Sequence, residues 1–473
     1  MVPSAGHVVP ISDIHDEGGI MRRSLFFTAV LLFAMTLVPV ASAQVIGINA
    51  NKYHKGVALR QGFVHGITYQ NGDDVTTAIH LVSALKPGSW RSSYYSVYQF
   101  VADAAQLPQT LGTKITFVIQ DVFNQKYGFG IEVTSSCALG VTSCFLTYDA
   151  LKTAWLGVVD QIMQTVNQNN LIIDYYDVFG EPTSGATKLS GLTPDQLMDL
   201  FRVTSERVRQ YRPDAKVSGP DLATYNASAF KTFLTYVAAN GLRLDALSWH
   251  EFGTPDVLVA HVQEMRDYMK TVPGLICDPT CPQIHINEYE SGMETFIPGS
   301  GVAWIYYLEK AGVDVANRAC YDLQGSGLAW STCWAGFDGM LLSDNKTPQP
   351  LYWVYRAYAA LDATRLYSQS SDKGVVALAS RNDATKEIQI LAGKYSLGEV
   401  DGKVTIYVQK YPYGGSNASV EVIAIPSSGN TPVALASLPP ATTTAVPIQN
   451  GTLTITINNF RVGDAYSIVV KPL

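Results

Sequence analysis

"IIDYYDVFGEPT" spans residues 172–183 and "QIHINEYES" spans residues 283–291, and each is a short apolar run that stops at a glutamate. A run of β-branched and aromatic residues that ends abruptly at Glu181 or Glu288 is typical of a buried strand with a carboxylate at its C-terminal end. Barrel enzymes hold their catalytic groups at this end of their strands. The two runs therefore predict a parallel barrel with two carboxylates at one opening.

The region from residue 44 to 365 alternates short apolar runs with longer amphipathic ones, which is typical of repeated strand–helix units and a parallel sheet. The candidate strands are 46–50, a segment around Trp90, 114–123, 172–181, 215–221, 244–252, 283–291 and 316–323. Eight such units favour a (β/α)8 TIM barrel. A doubly wound nucleotide-binding sheet is disfavoured because no glycine-rich phosphate loop follows the first strand.

The hydrophobic pattern of the sequence changes after residue 365. Short alternating runs without a helical period follow, separated by Gly, Asn, Ser and Pro. This pattern predicts a C-terminal antiparallel β-sandwich over 366–473, after the α/β barrel of 44–365. It lacks a cluster of aromatic residues, so a packing role is favoured over a sugar-binding role.

The first 43 residues predict export. Arg22 and Arg23 precede an apolar stretch of signal-peptide length, and Ala41-Ser42-Ala43 forms an A-x-A cleavage site. The stretch is short for a spanning helix, so we expect a secreted or periplasmic mature protein without a membrane anchor. The polar residues 1–20 precede a second methionine, Met21, and are interpreted as lying upstream of the true start, a pattern that indicates a bacterial gene.

The charge of the chain argues against two classes of partner. The formal net charge is −7 and no run is rich in Lys or Arg. Neither nucleic acid nor an anionic membrane is therefore an expected partner.

Six cysteines fall in three close pairs, which in an exported protein predict three local disulfides. The pairs are Cys137 with Cys144, Cys277 with Cys281, and Cys320 with Cys333. A metal site is the alternative, but no CxxC motif and no neighbouring histidine cluster supports it.

Cleavage of a glycosidic bond needs two carboxylates that face each other across a cleft. Glu181 and Glu288 end the fourth and seventh predicted strands, so a closed barrel would bring both to one opening. Glu288 directly follows its apolar run and is preferred to Glu290, although strand alternation would let both point inward. Further carboxylates at or near strand ends are Asp121, Asp177, Asp221 and Glu251.

Several other groups at strand ends are candidates for contacts to the substrate or to the carboxylates. Arg91 could hold a carboxylate ionised through a bidentate contact, with a surface salt bridge as the alternative. His250 could hydrogen-bond a sugar hydroxyl or the acid, or serve a structural role. Aromatic side chains that could stack on sugar rings, or simply pack in the core, are Trp249, Tyr289, Trp330 and Trp334.

These motifs together resemble glycoside hydrolase clan A, and the layout is most similar to family 39, which joins a (β/α)8 barrel to a β-sandwich. The resemblance implies that Glu181 is the general acid/base and Glu288 the nucleophile. It also matches Arg91 to the arginine of the second strand and His250 to the histidine of the sixth. The resemblance implies a retaining enzyme that needs no metal and no cofactor.

Two departures from the family pattern concern the substrate. Clan A enzymes place Asn directly before the acid/base, where it binds the sugar 2-hydroxyl, but Gly180 stands there in this chain. The sixth strand usually carries His-x-Tyr, whereas Phe252 follows His250 here by two residues. We therefore expect either an unusual 2-position in the substrate or a substitute group such as Asn287.

The sequence thus predicts a secreted retaining hydrolase of β-glycosidic bonds in oligo- or polysaccharides. A carbohydrate-binding pseudoenzyme on the same barrel is the alternative, which Gly180 and Phe252 motivate. A purely structural envelope protein is a third possibility, but it would not require an arginine and a histidine at one barrel opening.

Overall fold

The computed structural model of the protein describes residues 44–54, 59, 61–64, 76–92, 97–119, 147–183, 189, 192–277, 280–321, 332–333, 336–395 and 401–473. These residues form a closed barrel of eight parallel strands and a nine-stranded, mostly antiparallel sheet. The predicted TIM barrel with a C-terminal β-sandwich is confirmed.

The first described strand, β1 (Gln44–Tyr53), does not enter the barrel. The expectation that residues 46–50 form the first barrel strand is therefore wrong. Ile46 and Ile48 are buried while Gly47 and Asn49 are not, and this one-sided burial is typical of a sheet that packs on one face only. The barrel begins instead with a strand of three residues, 62–64, which is too short to show a period in the sequence.

The other seven predicted barrel strands are confirmed. The barrel consists of β2 (Gly62–Val64), β3 (Ser89–Ser92), β4 (Lys114–Ile119), β5 (Tyr175–Val178), β6 (Val217–Leu222), β7 (Ala246–Glu251), β8 (Gln283–Tyr289) and β9 (Val315–Arg318). β9 pairs with β2 and closes the barrel. A Cβ atom on Gly62 would lie 2.0 Å from Ser89 Oγ and 2.1 Å from Asn317 Oδ1, so only glycine fits at this point of closure.

Helices surround the barrel between its strands. They are α1 (Thr76–Ser83), α2 (Val97–Leu111), α3 (Tyr148–Gln168), α4 (Pro194–Tyr211), α5 (Ala227–Ala239), α6 (Leu258–Met269), α7 (Pro298–Ala311) and α8 (Pro350–Ala360). The start of α4 shows why a helix begins there: Thr193 Oγ1 accepts from the Gln196 amide and the Gln196 side chain accepts from the Thr193 amide. None of the described helices is both long and apolar enough to cross a membrane.

Most strands of the second sheet follow the barrel in the sequence, but β1 is one of its inner strands. Its further strands are β10 (Leu366–Ser370), β11 (Val375–Asn382), β12 (Glu387–Lys394), β13 (Gly402–Gln409), β14 (Asn417–Ile425), β15 (Thr442–Gln449), β16 (Thr452–Phe460) and β17 (Ala465–Pro472). β1 lies between β10 and β13 and pairs in parallel with β13. We therefore propose the expected division near residue 365, with β1 assigned to the second domain.

The two domains contact each other through α7, α8 and the loops beside them. Gly299, in the first turn of α7, approaches the sandwich so closely that a Cβ atom would lie 2.3 Å from the carbonyl oxygen of Lys394. Trp353 of α8 donates to the carbonyl oxygen of Leu435 at 2.7 Å. The sandwich is thus fixed to the barrel by close backbone contacts.

Two of the three predicted disulfides are present, Cys277–Cys281 and Cys320–Cys333. Cys137 and Cys144 lie outside the described residues, as do the predicted signal peptide and everything else before residue 44. Both observed bonds close short local loops, as their spacing predicts.

Candidate active site

Glu181 lies directly beyond β5 on a backbone in the left-handed region. Its φ is 52°, a conformation that residues other than glycine adopt rarely and that recurs at functional sites. The Glu181 amide donates a hydrogen bond of 3.0 Å to the carbonyl oxygen of Asp221, at the end of β6. The side chain keeps 32% of its surface exposed, so the carboxylate is fixed at the barrel opening and remains reachable.

Glu288 reaches the same opening from β8 because that strand is irregular. Trp249 of β7 pairs with Ile286, but the next residue, His250, pairs with Glu288. Asn287 is therefore an extra residue, and such a bulge lets consecutive side chains point to the same side. Asn287 points into the barrel, where it is buried, and Glu288 lies above it with 20% of its side chain exposed.

Arg91 of β3 joins Glu288 to a buried aspartate. Its Nη1 donates to Glu288 Oε1 at 2.6 Å and its Nη2 donates to Asp221 Oδ2 at 2.7 Å. Arg91 and Asp221 are both buried. Charge-assisted hydrogen bonds this short hold their partners in one geometry, so Arg91 orients the Glu288 carboxylate.

His250 lies between three carboxylates. Its Nδ1 is 2.9 Å from Glu181 Oε1 and 3.9 Å from Glu288 Oε2, and its Nε2 is 3.2 Å from Asp221 Oδ2. Because the first two distances share one nitrogen, those two glutamate oxygens are at most 6.8 Å apart. The glutamates that the sequence singles out thus face each other beside one histidine.

The charged groups of this cluster shift one another's pKa values. Burial opposes the charged form of His250, but Asp221 and Glu288 outweigh it and raise the pKa of His250 to about 10. Burial also opposes ionisation of Asp221, yet His250 and Arg91 hold the pKa of that carboxyl well below its usual range. The hydrogen bond from His250 lowers the pKa of Glu181. At neutral pH the site therefore contains an imidazolium and a buried aspartate anion beneath the two glutamates.

Asp221 is the central residue that sequence reasoning does not distinguish, since it is one of several carboxylates near strand ends. In the structure it is fully buried and accepts hydrogen bonds from both Arg91 and His250. Its φ is 51°. Only the position of Asp221 at the end of a barrel strand could have indicated its role.

Among the described residues, the other rival carboxylates do not line the opening. Glu290 is 1% exposed and forms a buried ion pair with Arg318. Glu251 accepts from Trp249 Nε1 at 3.3 Å and lies 2.8 Å from His261 Nδ1. Asp177 lies deeper in the barrel, and Asp121 is outside the described residues.

The structure buries three of the predicted substrate contacts, Trp249, Tyr289 and Asn287. Trp249 and Tyr289 are fully buried in the core, so neither offers a ring face to a sugar. Asn287 is also fully buried and donates to Asp177 and Asp221, so it does not replace the missing Asn beside Glu181. Trp330 and Trp334 lie outside the described residues.

Tyr321, just beyond β9, is a further residue of the site that the sequence does not single out. Burial and the nearby Glu288 and Glu181 carboxylates raise its pKa above the usual range. The Tyr321 amide donates to Thr332 Oγ1 at 2.9 Å. The disulfide between Cys320, which precedes Tyr321, and Cys333, which follows Thr332, joins the same two segments. Tyr321 lies within the eighth predicted strand, 316–323, and this position was the available signal.

Phe252 occupies the place where the family pattern has a tyrosine. Its ring meets the His250 ring edge-on at a centroid distance of 5.5 Å and the Tyr321 ring at 6.2 Å. Phe252 therefore contributes packing to the site and no hydroxyl group. Gly180, directly before Glu181, contributes no side chain to the opening.

Comparison with known proteins gives matches in structure only. No family model and no curated protein matches this chain. The structure of N2152 from Neocallimastix frontalis matches with a TM-score of 0.69 at 17% identity, over 91% of this chain and 100% of that chain. The GH39 enzyme from Xanthomonas axonopodis pv. citri matches with a TM-score of 0.64 at 13% identity, over 92% and 100%. A monomeric β-xylosidase from Caulobacter crescentus CB15 matches with a TM-score of 0.62 at 13% identity, over 91% and 100%.

The fold is that of solved clan A glycoside hydrolases. GH30 and GH44 enzymes are also similar to this chain, with TM-scores of 0.56 and 0.54. The resemblance to family 39 and its relatives is thus confirmed for the architecture. Identities this low show the fold alone, and activity depends on the groups at the site.

Proposed function

We propose that this protein is a secreted glycoside hydrolase that cleaves β-glycosidic bonds of oligo- or polysaccharides with retention of configuration. The observation that carries the proposal is the pair of reachable carboxylates, Glu181 and Glu288, on either side of His250 Nδ1. Cleavage requires a proton at the departing oxygen and a carboxylate at the anomeric carbon. The two glutamates can supply these two functions.

Glu288 is the proposed nucleophile. Its Oε1 accepts the 2.6 Å hydrogen bond from Arg91 Nη1, which fixes the direction of the carboxylate. In the first step Glu288 forms an ester bond to the anomeric carbon while the glycosidic C–O bond breaks. In the second step water attacks that carbon and the ester oxygen leaves as the carboxylate again.

Glu181 is the proposed acid/base, and His250 supplies the proton that this role requires. A general acid must deliver a proton, yet the hydrogen bond from His250 lowers the pKa of Glu181. The protonated Nδ1 lies 2.9 Å from Glu181 Oε1, so it first transfers its proton to Glu181. Glu181 then delivers this proton to the departing oxygen. When Glu181 later takes a proton from water, that proton returns to His250.

The separation of the carboxylates supports retention. Retaining enzymes hold these groups about 5–5.5 Å apart, whereas inverting enzymes need about 6.5–9.5 Å to fit a water molecule. The distance between Glu181 Oε1 and Glu288 Oε2 is at most 6.8 Å, which is compatible with the retaining separation. A double displacement through a glycosyl ester on Glu288 fits best.

The sugar is proposed only as a class. The solved neighbours are named as β-xylosidase, glucosidase, endoxylanase and bifunctional glucanase-xylanase. β-Xylosides and β-glucosides are therefore the first substrates to try. The signal-peptide pattern of residues 21–43 and the two disulfides support a secreted or periplasmic location in a bacterium.

The decisive experiment follows the anomer of the product. The wild-type protein is incubated with aryl β-xylosides, aryl β-glucosides and plant polysaccharides, and NMR reads the first product formed. We expect the β-anomer. In Glu288→Ala, azide should restore cleavage and give the α-glycosyl azide, while Glu181→Ala with azide should give the β-azide. The α-anomer from the wild-type protein would contradict retention.

A carbohydrate-binding protein without turnover is the second candidate. Gly180 supplies no side-chain amide beside Glu181, and the hydrogen bond from His250 lowers the pKa of Glu181, which disfavours its role as an acid. Calorimetry with the same oligosaccharides separates the two candidates. Binding without product after prolonged incubation would favour the binding protein, and turnover lost in Glu288→Ala would exclude it.

A further inference from the structure

Asp177 is a buried carboxyl for which the proposed reaction has no use. It lies on β5, four residues before Glu181, and has no exposed surface. A carboxyl group in such a position is costly unless it is hydrogen-bonded and its charge is balanced.

Four strands provide the hydrogen-bond partners and charged neighbours of Asp177. Its Oδ1 accepts from Ser218 Oγ of β6 and from Ser248 Oγ of β7, both at 2.8 Å. Its Oδ2 accepts from Asn287 Nδ2 of β8 at 2.6 Å and lies 4.0 Å from Arg91 Nε of β3. The bulge of β8 thus places Asn287 directly on this carboxyl.

The charged groups that face Asp177 are Arg91 and Asp221. Arg91 already donates to Glu288 and to Asp221 at 2.6 and 2.7 Å, whereas its Nε lies 4.0 Å from Asp177. Asp221 shares the Asn287 amide with Asp177, since Asn287 Nδ2 is 3.0 Å from Asp221 Oδ1. Burial and the Asp221 charge outweigh Arg91 and the two serines and raise the pKa of Asp177 to about 8.

We propose that Asp177 is a positioning residue, which in its uncharged form leaves Arg91 on Glu288 and in its charged form draws Arg91 away from it. The inference rests on the proposed glycosidase function and deepens it. A second anion beside Asp221 would draw the Arg91 guanidinium toward Asp177 and away from Glu288. It would also strengthen the hold of the buried cluster on the His250 proton.

The first test compares the pH profiles of kcat/KM for the wild-type protein and Asp177→Asn on an aryl glycoside. The amide keeps the size and the neutral charge of the protonated acid. We expect Asp177→Asn to stay within about threefold of wild type at pH 7 and to extend activity to higher pH by about one unit. A variant whose alkaline decline coincides with that of wild type would overturn the proposal.

Ser248→Ala is the second variant. It removes a hydrogen bond that favours the charged form of Asp177, so the alkaline decline should move to higher pH by a smaller amount. An unchanged decline in this variant would also overturn the proposal. A purely structural role for Asp177 would lower kcat at every pH without moving the decline.

An experiment without substrate separates this inference from the proposed function. Infrared difference spectra, recorded while the pH is raised from 6 to 10, should show a protonated carboxyl band that disappears near pH 8 and is missing in Asp177→Asn. The band with no glycoside turnover would refute the proposed function and leave the buried acid established. No such band in an active enzyme would refute the role of Asp177 alone.

Discussion

Glu288 and Glu290 stand two residues apart at the end of one strand, and the structure gives them opposite surroundings. Glu288 is 20% exposed and accepts a hydrogen bond from Arg91. Glu290 is 1% exposed, has a φ of 81° and forms an ion pair with Arg318. The residue type and the spacing do not distinguish them.

The two arginines explain the difference. Arg318 also donates to the carbonyl oxygens of Asp338 and Thr295, at 2.9 and 2.7 Å, so it ties Glu290 to the loops around β9. Arg91 donates instead to Glu288 and Asp221, two carboxylates of the candidate active site. A buried ion pair surrounded by backbone partners indicates a structural role, whereas a carboxylate that is held and still reachable can react.

The largest expected effect separates the two glutamates directly. Glu288→Gln should reduce kcat roughly 10⁴-fold or more, because an amide cannot form the glycosyl ester, and should leave the melting temperature nearly unchanged. Glu290→Gln should destabilise the fold by about 3–5 kcal/mol, because it leaves the Arg318 charge buried without its partner. Steady-state kinetics and thermal unfolding of both variants check this. The comparison fails if Glu290→Gln abolishes turnover at full stability.

Substitution of the two arginines by lysine should have smaller effects on kcat and on stability. Arg91→Lys should lower kcat about 10²-fold, since one ammonium cannot serve Glu288 and Asp221 in the same fork geometry. Arg318→Lys should mainly lower the free energy of unfolding, by about 2 kcal/mol, through the lost hydrogen bonds to Asp338 and Thr295. Equal losses of kcat in the two matched variants would mean that both ion pairs belong to the active centre.

His250→Gln tests whether a positive charge lies beside Glu181 and Glu288. The pKa of His250 is raised from 6.5 to about 10 in the folded protein, so its stabilising contribution is full below pH 6.5 and is lost as the pH rises to 10. The melting temperature of the wild-type protein should fall over this range, and that of His250→Gln should fall less. Parallel curves for the two proteins would show that His250 is not charged at neutral pH.

Tyr321→Phe should have the smallest effect. Its hydroxyl donates to the carbonyl oxygen of Glu290, and its charge environment includes Glu288. Loss of one hydrogen bond should cost about 1 kcal/mol of stability and change kcat less than tenfold. A loss of kcat greater than tenfold, with stability lowered by only about 1 kcal/mol, would show that Tyr321 acts together with Glu288 rather than with Glu290.

Glu181 and Glu288 could be predicted because each ends an apolar run, and a closed parallel barrel brings such ends together. The bulge at Asn287 could not, because strict alternation in QIHINEYES gives no sign of an extra residue. The same bulge explains why Asn287 is buried beneath the site. Asp221 was equally hidden, since its role depends on Arg91 and His250, which come from other strands.

The pairing of β1 has a consequence for how the chain matures. Gln44 lies beside Asp372, 328 residues away in the sequence, and β1 is hydrogen-bonded on both sides to strands that are made after the whole barrel. Until β13 has emerged, the unpaired edges of β1 are free to join other chains. The first described strand to be synthesised would thus be among the last to fold, and a chaperone that shields extended segments would be most useful there.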